Sequence, residues 1–116
     1  MKVHRTYRKN GKLDRVYFYN EDESYKMICE YDEKTEVESK RWIYEDQTVK
    51  VKYFKPDSAI IDKIEIYDKS TNELIENNEP SVKIFGDYGK IIEEKYARNS
   101  KLYTKQELVE LESSNK

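Results

Sequence analysis

Apolar and polar residues alternate along most of this chain with a period of two. Tyr25, Met27, Cys29 and Tyr31 fall on one side of a segment whose other side is Lys26, Ile28 and Glu30. Val49, Val51 and Tyr53 alternate in the same way with Lys50, Lys52 and Phe54. Successive side chains of a strand point to opposite faces, so this period marks half-buried strands. Clusters of turn formers interrupt the pattern at 9–12, 20–23, 32–35, 45–47, 55–58 and 68–72, about 12 residues apart. Pro, Asp, Asn and Ser belong in such places because they favour turn dihedrals or bond their own backbone. Regular spacing of this kind predicts an all-β meander, sandwich or barrel. The strands are expected over 2–9, 12–19, 24–31, 37–44, 48–55 and 60–67, with shorter ones over 73–76, 82–85 and 90–96. Asn10-Gly11 predicts a two-residue type I′ hairpin turn, in which both central residues have positive φ.

The pattern changes at the C-terminus. Thr104-Lys105-Gln106-Glu107 fits a capping box, with Tyr103 and Leu108 at the two staple positions around it. A short helix over about 105–113 is expected, with Leu108 and Leu111 on one face and residues 113–116 as a frayed tail. The fold class is therefore mainly β, one domain over 1–116: an antiparallel meander, as an open curved sheet, a sandwich or a small barrel, with a short C-terminal α-helix.

Composition narrows this picture. Apolar residues make up 36% of the 116 positions and charged residues 40%, so the core must be thin and at least one sheet face solvated. Eleven Tyr, three Phe and one Trp exclude a disordered tail. The net charge of −2 gives no reason to expect a nucleic-acid or membrane partner. Cys29 is the only cysteine, which points to a reducing compartment and a cytoplasmic location. No apolar run reaches the roughly 18 residues of a membrane span, and the N-terminus lacks a signal-peptide core.

Residues 5–40 align without a gap on residues 41–76, with seven identities in 36 positions. Arg5 meets Arg41, Tyr17-Phe18 meets Tyr53-Phe54, Ile28 meets Ile64, Tyr31-Asp32 meets Tyr67-Asp68, and Thr35 meets Thr71. The reading is a tandem duplication of a unit of about 36 residues. The segments Tyr31-Asp32-Glu33-Lys34-Thr35 and Tyr67-Asp68-Lys69-Ser70-Thr71-Asn72-Glu73-Leu74 resemble the Tyr-Asp strand-turn-strand repeats of Rhs-type proteins. They are more similar still to the uncharacterised repeat domain of phytoplasma proteins, with its Tyr-Asp-x-x-Thr-Gly-x-Leu units, and more loosely to MORN-like antitoxin repeats. The motif's Gly is Glu36 in the first copy and Asn72 in the second, and its Leu is Glu38 in the first. The resemblance implies a strand-turn-strand fold and almost no function, since such families are mostly uncharacterised or act as binding modules.

Candidate chemistry is sparse. His4 stands alone near one end and reads as a partly exposed strand residue. Cys29 reads as a small buried thiol. Zinc sites built from several Cys and His ligands are excluded by count. Gly11, Gly86 and Gly89 form no phosphate-binding loop, and Gly86-Asp87-Tyr88-Gly89 reads as a turn. Asp57 with Glu93 and Lys95 is an arrangement a Mg²⁺ nuclease would use, with two carboxylates on the metal and a lysine on the attacking water. Glu21-Asp22-Glu23 reads as a solvated hairpin tip. Phe18, Trp42 and Phe54, among Lys50 and Lys52, are the candidate anchors of a protein-binding face, since aromatic residues concentrate at hot spots. No enzyme activity, catalytic residue, cofactor or metal is expected. The expected function is protein binding by a sheet face, as a monomer or dimer, of the kind served by antitoxins, immunity proteins and phage-encoded inhibitors of bacterial defence enzymes. A structural repeat module of a larger surface protein is the alternative, and the nuclease the second alternative. The N-terminal strand is expected at one sheet edge, blunted by Lys2, His4, Arg5, Arg8 and Lys9, and the other edge is expected under Pro80 and the helix.

Overall fold

In the computed structural model, which describes residues 2–114, hydrogen-bonded hairpins run in chain order from one end of a single sheet to the other. The strands are β1 (Val3–Tyr7), β2 (Leu13–Tyr19), β3 (Tyr25–Tyr31), β4 (Glu38–Tyr44), β5 (Thr48–Phe54), β6 (Ile61–Asp68), β7 (Val82–Phe85), β8 (Ile91–Arg98) and β9 (Lys101–Tyr103). Every strand pairs antiparallel with its sequence neighbours, and α1 (Lys105–Ser114) follows β9. The architecture is an open meander, not a sandwich or barrel. Its extents are 57 × 36 × 21 Å and its radius of gyration is 16.9 Å. A compact chain of this length would have a radius of roughly 13 Å. The thin dimension and the large radius both follow from a sheet that no second layer covers.

The core is correspondingly small. Val16, Ile28, Cys29, Val51, Val82, Tyr96, Ala97 and Leu108 are buried, while most other strand residues are half-buried. Leu108 is the side chain that seats α1, which touches only β8 and β9. The capping box forms as expected: the Thr104 amide donates to Glu107 Oε1 at 2.9 Å, and the Glu107 amide to Thr104 Oγ1 at 3.2 Å.

Departures from the expected pattern occur at the turns. The β1–β2 loop is not a type I′ turn. Gly11 alone has positive φ, +88°; its amide bonds Arg8 O and the Arg8 amide bonds Lys12 O, which makes a three-residue loop with one left-handed residue. The same bonds recur at 20–24, with Glu23 left-handed, and at 86–90, with Gly89 left-handed. The Tyr-Asp-x-x-Thr turns also match each other. Asp32 Oδ1 accepts from the amides of Lys34 and Thr35, and Asp68 Oδ1 from those of Ser70 and Thr71. Glu36 and Asn72 are left-handed at φ 60° and 63°, at the position where the resembling motif carries Gly. The hairpins that precede these turns differ in register, however. Tyr17 pairs with Ile28, whereas Tyr53 pairs with Lys63 and not with Ile64.

The segment 73–76 forms no strand; it makes an isolated bridge between Tyr67 and Leu74 and one bond from the Ile75 amide to Ile66 O. The three-residue β9 was not foreseen. It, not Pro80, forms the second sheet edge; Pro80 precedes the interior strand β7. Of the tail expected over 113–116, the residues up to 114 continue α1, and 115–116 lie outside the described residues.

Candidate protein-binding face

Residues directly opposite each other in an antiparallel pair share a face, so the register sorts the sheet into two surfaces. Register shifts between Phe18 and Tyr19 and between Glu30 and Tyr31 leave an extra residue at Lys26 in β3 and at Ser39 in β4. The bulge at Lys26 turns Tyr25 away from Met27, Cys29 and Tyr31, the row to which simple alternation assigned it. One face, called the front here, carries Tyr17, Tyr19, Tyr25, Trp42, Tyr44, Tyr53 and Tyr67, with Arg15, Glu30, Lys40, Lys63 and Glu65. The back carries Val16, Phe18, Met27, Cys29, Arg41, Ile43, Lys50, Lys52, Phe54, Ile64 and Ile66.

The five residues proposed as binding anchors therefore do not form one surface. Phe18, Lys50, Lys52 and Phe54 lie on the back, and Trp42 lies alone among them on the front. A face assignment that ignores turn length and bulges is exposed to this error, because a one-residue slip inverts every side chain beyond it.

On the front face four tyrosine rings, those of Tyr17, Tyr19, Tyr25 and Tyr44, form a connected group. Tyr25 lies 5.9 Å from Tyr17, 5.5 Å from Tyr19 and 5.6 Å from Tyr44, all tilted. Beside them cations alternate with rings. Arg15 sits 5.2 Å from the Trp42 ring, Lys40 lies 4.6 Å from Trp42 and 4.9 Å from Tyr53, and Lys63 lies 4.5 Å from Tyr53. Arg15 donates to Glu30 Oε1 through Nε and Nη2 at 3.0 and 2.8 Å. The hydroxyls of Tyr53 and Tyr67 both donate to Glu65 Oε1, at 2.6 and 3.1 Å. Burial and then the Glu65 carboxylate push the Tyr53 phenol far above its usual range. Trp42, Tyr44, Tyr53 and Tyr67, with Lys40 and Lys69, line a depression of about 360 Å³ at the middle of this face. Lys69 leans over the β4–β5 turn and donates to Glu45 O at 3.2 Å.

The back face holds a different device. Arg41 donates to both oxygens of Glu38, at 2.7 and 2.5 Å, stacks 5.6 Å from the Phe54 ring and pairs across from Cys29. Cys29 is 4% exposed, and burial, followed by the Glu38 carboxylate, raises its thiol pKa to about 11. It is a packing residue, as its place in the sequence suggested.

The other candidates are dispersed. His4 is exposed on β1, its ring 6.1 Å from that of Tyr17. Asp57 stands in the β5–β6 turn with φ 52°. Lys95 pairs with Glu93 at 3.0 Å, so the lysine assigned to a water in the nuclease reading is held by the carboxylate assigned to the metal. Among the described residues no group of three or more His, Cys, Asp or Glu is placed to share a metal ion. Asp22 accepts from Ser24 and closes a turn. No helix among these residues is long and apolar enough to cross a membrane.

Sequence reasoning missed two features. Alternation places Tyr25 and Tyr53 on apolar rows and gives Tyr17, Tyr19, Tyr44 and Tyr67 no common face, though the regular recurrence of tyrosine was the available signal. Ile60, Tyr88 and Ile92 are 41%, 94% and 68% exposed near the β5–β6 and β7–β8 ends; the expected strands over 60–67 and 90–96 and the turn at 86–89 gave no sign that these apolar side chains stand in solvent. Comparison of the chain with known protein families, with curated proteins and with solved structures finds no match.

Proposed function

We propose that this protein is a non-catalytic binding module that engages another protein through its front face. The observation that carries this reading is the gathering of the sole Trp, six tyrosines and Arg15 on one half-buried face, where Trp42, Tyr44, Tyr53 and Tyr67 line a depression of about 360 Å³. Trp, Tyr and Arg are the residues enriched at binding hot spots, because each offers a large rigid surface with a polar handle. Tyr17, Tyr19, Tyr25 and Tyr44 are packed on one another, Trp42 and Tyr53 lie against cations, and Tyr53 and Tyr67 are bonded to Glu65, so little side-chain freedom remains to be lost when a partner docks.

The finer form we favour is a small cytoplasmic antitoxin, immunity protein or phage-encoded inhibitor of a bacterial defence enzyme. It rests on analogy of type: a small, acidic, Cys-poor chain without a nucleophile-base pair. A second reading is a structural repeat module of a larger surface protein, favoured by the two like-bonded turns at Asp32 and Asp68.

The test pairs two measurements on Trp42→Ala. Affinity for the partner recovered by pull-down should fall by about 2 kcal/mol or more, the range of a hot-spot residue. The melting transition should remain cooperative and far-ultraviolet circular dichroism unchanged. Unchanged affinity in the folded fraction would leave Trp42 as a packing residue and remove the front face as the binding surface.

A further inference from the structure

We infer that the segment bound on the front face is acidic and adopts the polyproline II conformation, an inference that rests on the proposed assignment of that face. Three cations stand in one row across the sheet. Arg15 pairs with Glu30, Glu30 with Lys40, Lys40 with Tyr53 and Tyr53 with Lys63. The cations thus occupy β2, β4 and β6, and with neighbouring strands roughly 4.8 Å apart they recur about every 9.6 Å. A polyproline II helix has three residues per turn and a rise of 3.1 Å, so every third side chain returns to the same side after about 9.3 Å. An extended strand presents one side every 6.7 Å or so, and an α-helix returns about every 5.4 Å.

The backbone argument points the same way. The row lies in the interior of the sheet, where every strand is paired on both sides, so an added strand would find no free amides or carbonyls. A polyproline II chain makes no internal hydrogen bonds and keeps its backbone solvated, and can be held by side chains alone. Aromatic-lined grooves are the surfaces that take such segments. Here the rings of Trp42 and Tyr53 hold the Lys40 ammonium between them at 4.6 and 4.9 Å. Among the described residues Lys40 forms no ion pair, whereas Arg15 is paired with Glu30 and Lys63 lies 3.8 Å from Glu65. The cation at the centre of the row, held between the two rings and without an ion-pair partner among the described residues, selects a carboxylate, and the spacing of the row selects a chain pre-organised as polyproline II, which proline favours.

Trp42 is the only tryptophan, so its fluorescence reports this groove directly. The intact protein is titrated with three 12-residue peptides, repeating Glu-Pro-Pro, Glu-Gly-Gly and Lys-Pro-Pro, and with a single-stranded oligothymidylate. The expected result is saturable binding of the Glu-Pro-Pro peptide, at least tenfold weaker binding of Glu-Gly-Gly, and none of Lys-Pro-Pro or the oligonucleotide. Lys40→Glu should weaken Glu-Pro-Pro binding at least fivefold. Lys52→Glu makes the same charge change on the back face and should leave binding unaltered; circular dichroism checks that both variants fold. Equal binding of the Glu-Pro-Pro and Glu-Gly-Gly peptides, preference for the oligonucleotide, or an equal loss from Lys52→Glu overturns the inference. If no peptide binds while Trp42→Ala abolishes capture of the natural partner, the inference falls and the binding face stands. If Trp42→Ala leaves that capture intact, the binding face itself falls.

Discussion

Tyr53 donates its hydroxyl to Glu65 at 2.6 Å across the β5–β6 hairpin, and Tyr67 donates to the same oxygen at 3.1 Å. On a sheet with no second layer, this shared carboxylate does work that apolar packing does elsewhere, tying one row of the front face to the next. Tyr53→Phe leaves Glu65 one donor short and should cost about 1–2 kcal/mol, since a hydrogen bond to a charged group contributes more than a neutral one. Urea denaturation measures it; a change within error would mean that water replaces the phenol at no cost.

The same pair sets an alkaline limit. Burial and then Glu65 raise the Tyr53 pKa, and burial and Glu65 raise that of Tyr67. A raised folded-state pKa contributes stability that is full below the unfolded value, about 10, and is lost as pH rises through the folded one. Melting temperature should therefore fall above about pH 10, and the fall should be shallower in Tyr53→Phe. Parallel pH profiles of the two proteins would count against the assignment.

At low pH the turns take over. Asp32 accepts from the backbone amides of Thr35 and Lys34, and Asp68 from the Ser70 hydroxyl and amide and then the Thr71 amide; these bonds lower both pKa values. The sign is opposite to that of Tyr53: the contribution is present above the unfolded pKa, about 3.9, and is lost as pH falls through the lower folded value. Asn keeps an acceptor for the turn amides but does not titrate in this range. The double variant Asp32→Asn, Asp68→Asn should thus melt with a flatter acid limb between about pH 4.5 and 2, and an unaltered limb would remove these turns from the acid response.

Glu36 and Asn72 occupy equivalent left-handed positions, but with different side chains. A β-carbon in this region costs about 1–2 kcal/mol, and Asn tolerates it better than Glu. After the entropy that Gly adds to the unfolded chain, Glu36→Gly should stabilise by about 0.5–1 kcal/mol and Asn72→Gly by less. Chemical denaturation of the two variants side by side decides it; a larger gain at Asn72 contradicts the account.

Ser81 is fully buried, and its hydroxyl finds no partner among the described residues, although its amide bonds Lys95 O and its carbonyl accepts from the Ile66 amide. Removing an unsatisfied buried hydroxyl while keeping the volume should be neutral or stabilising by about 1 kcal/mol in Ser81→Ala. Ser81→Leu has no space to enter and should destabilise by about 1–3 kcal/mol. A marked loss of stability in Ser81→Ala would reveal a partner for the hydroxyl.

The local pattern along the chain determined a great deal here. Alternation and turn spacing located eight of the nine strands to within a few residues, because each hairpin is specified by residues adjacent in sequence. The capping box located α1 because Thr104 and Glu107 satisfy each other's amides without help from the rest of the fold. The segment 73–76 and β9 escaped because a single bridge at Leu74 and a three-residue strand depend on neighbours more than on their own composition. Tertiary structure alone decided two things. It left the sheet open, since the apolar alternation is equally compatible with a sandwich or barrel and only the packing chooses. It also divided Trp42 from Phe18, Lys50, Lys52 and Phe54. Hairpin register made that division: Tyr17 pairs with Ile28, Ile28 with Trp42 and Ile43 with Lys50, and a one-residue change of register would invert the faces; which residues pair is settled by the partner strand, not by a strand's own sequence.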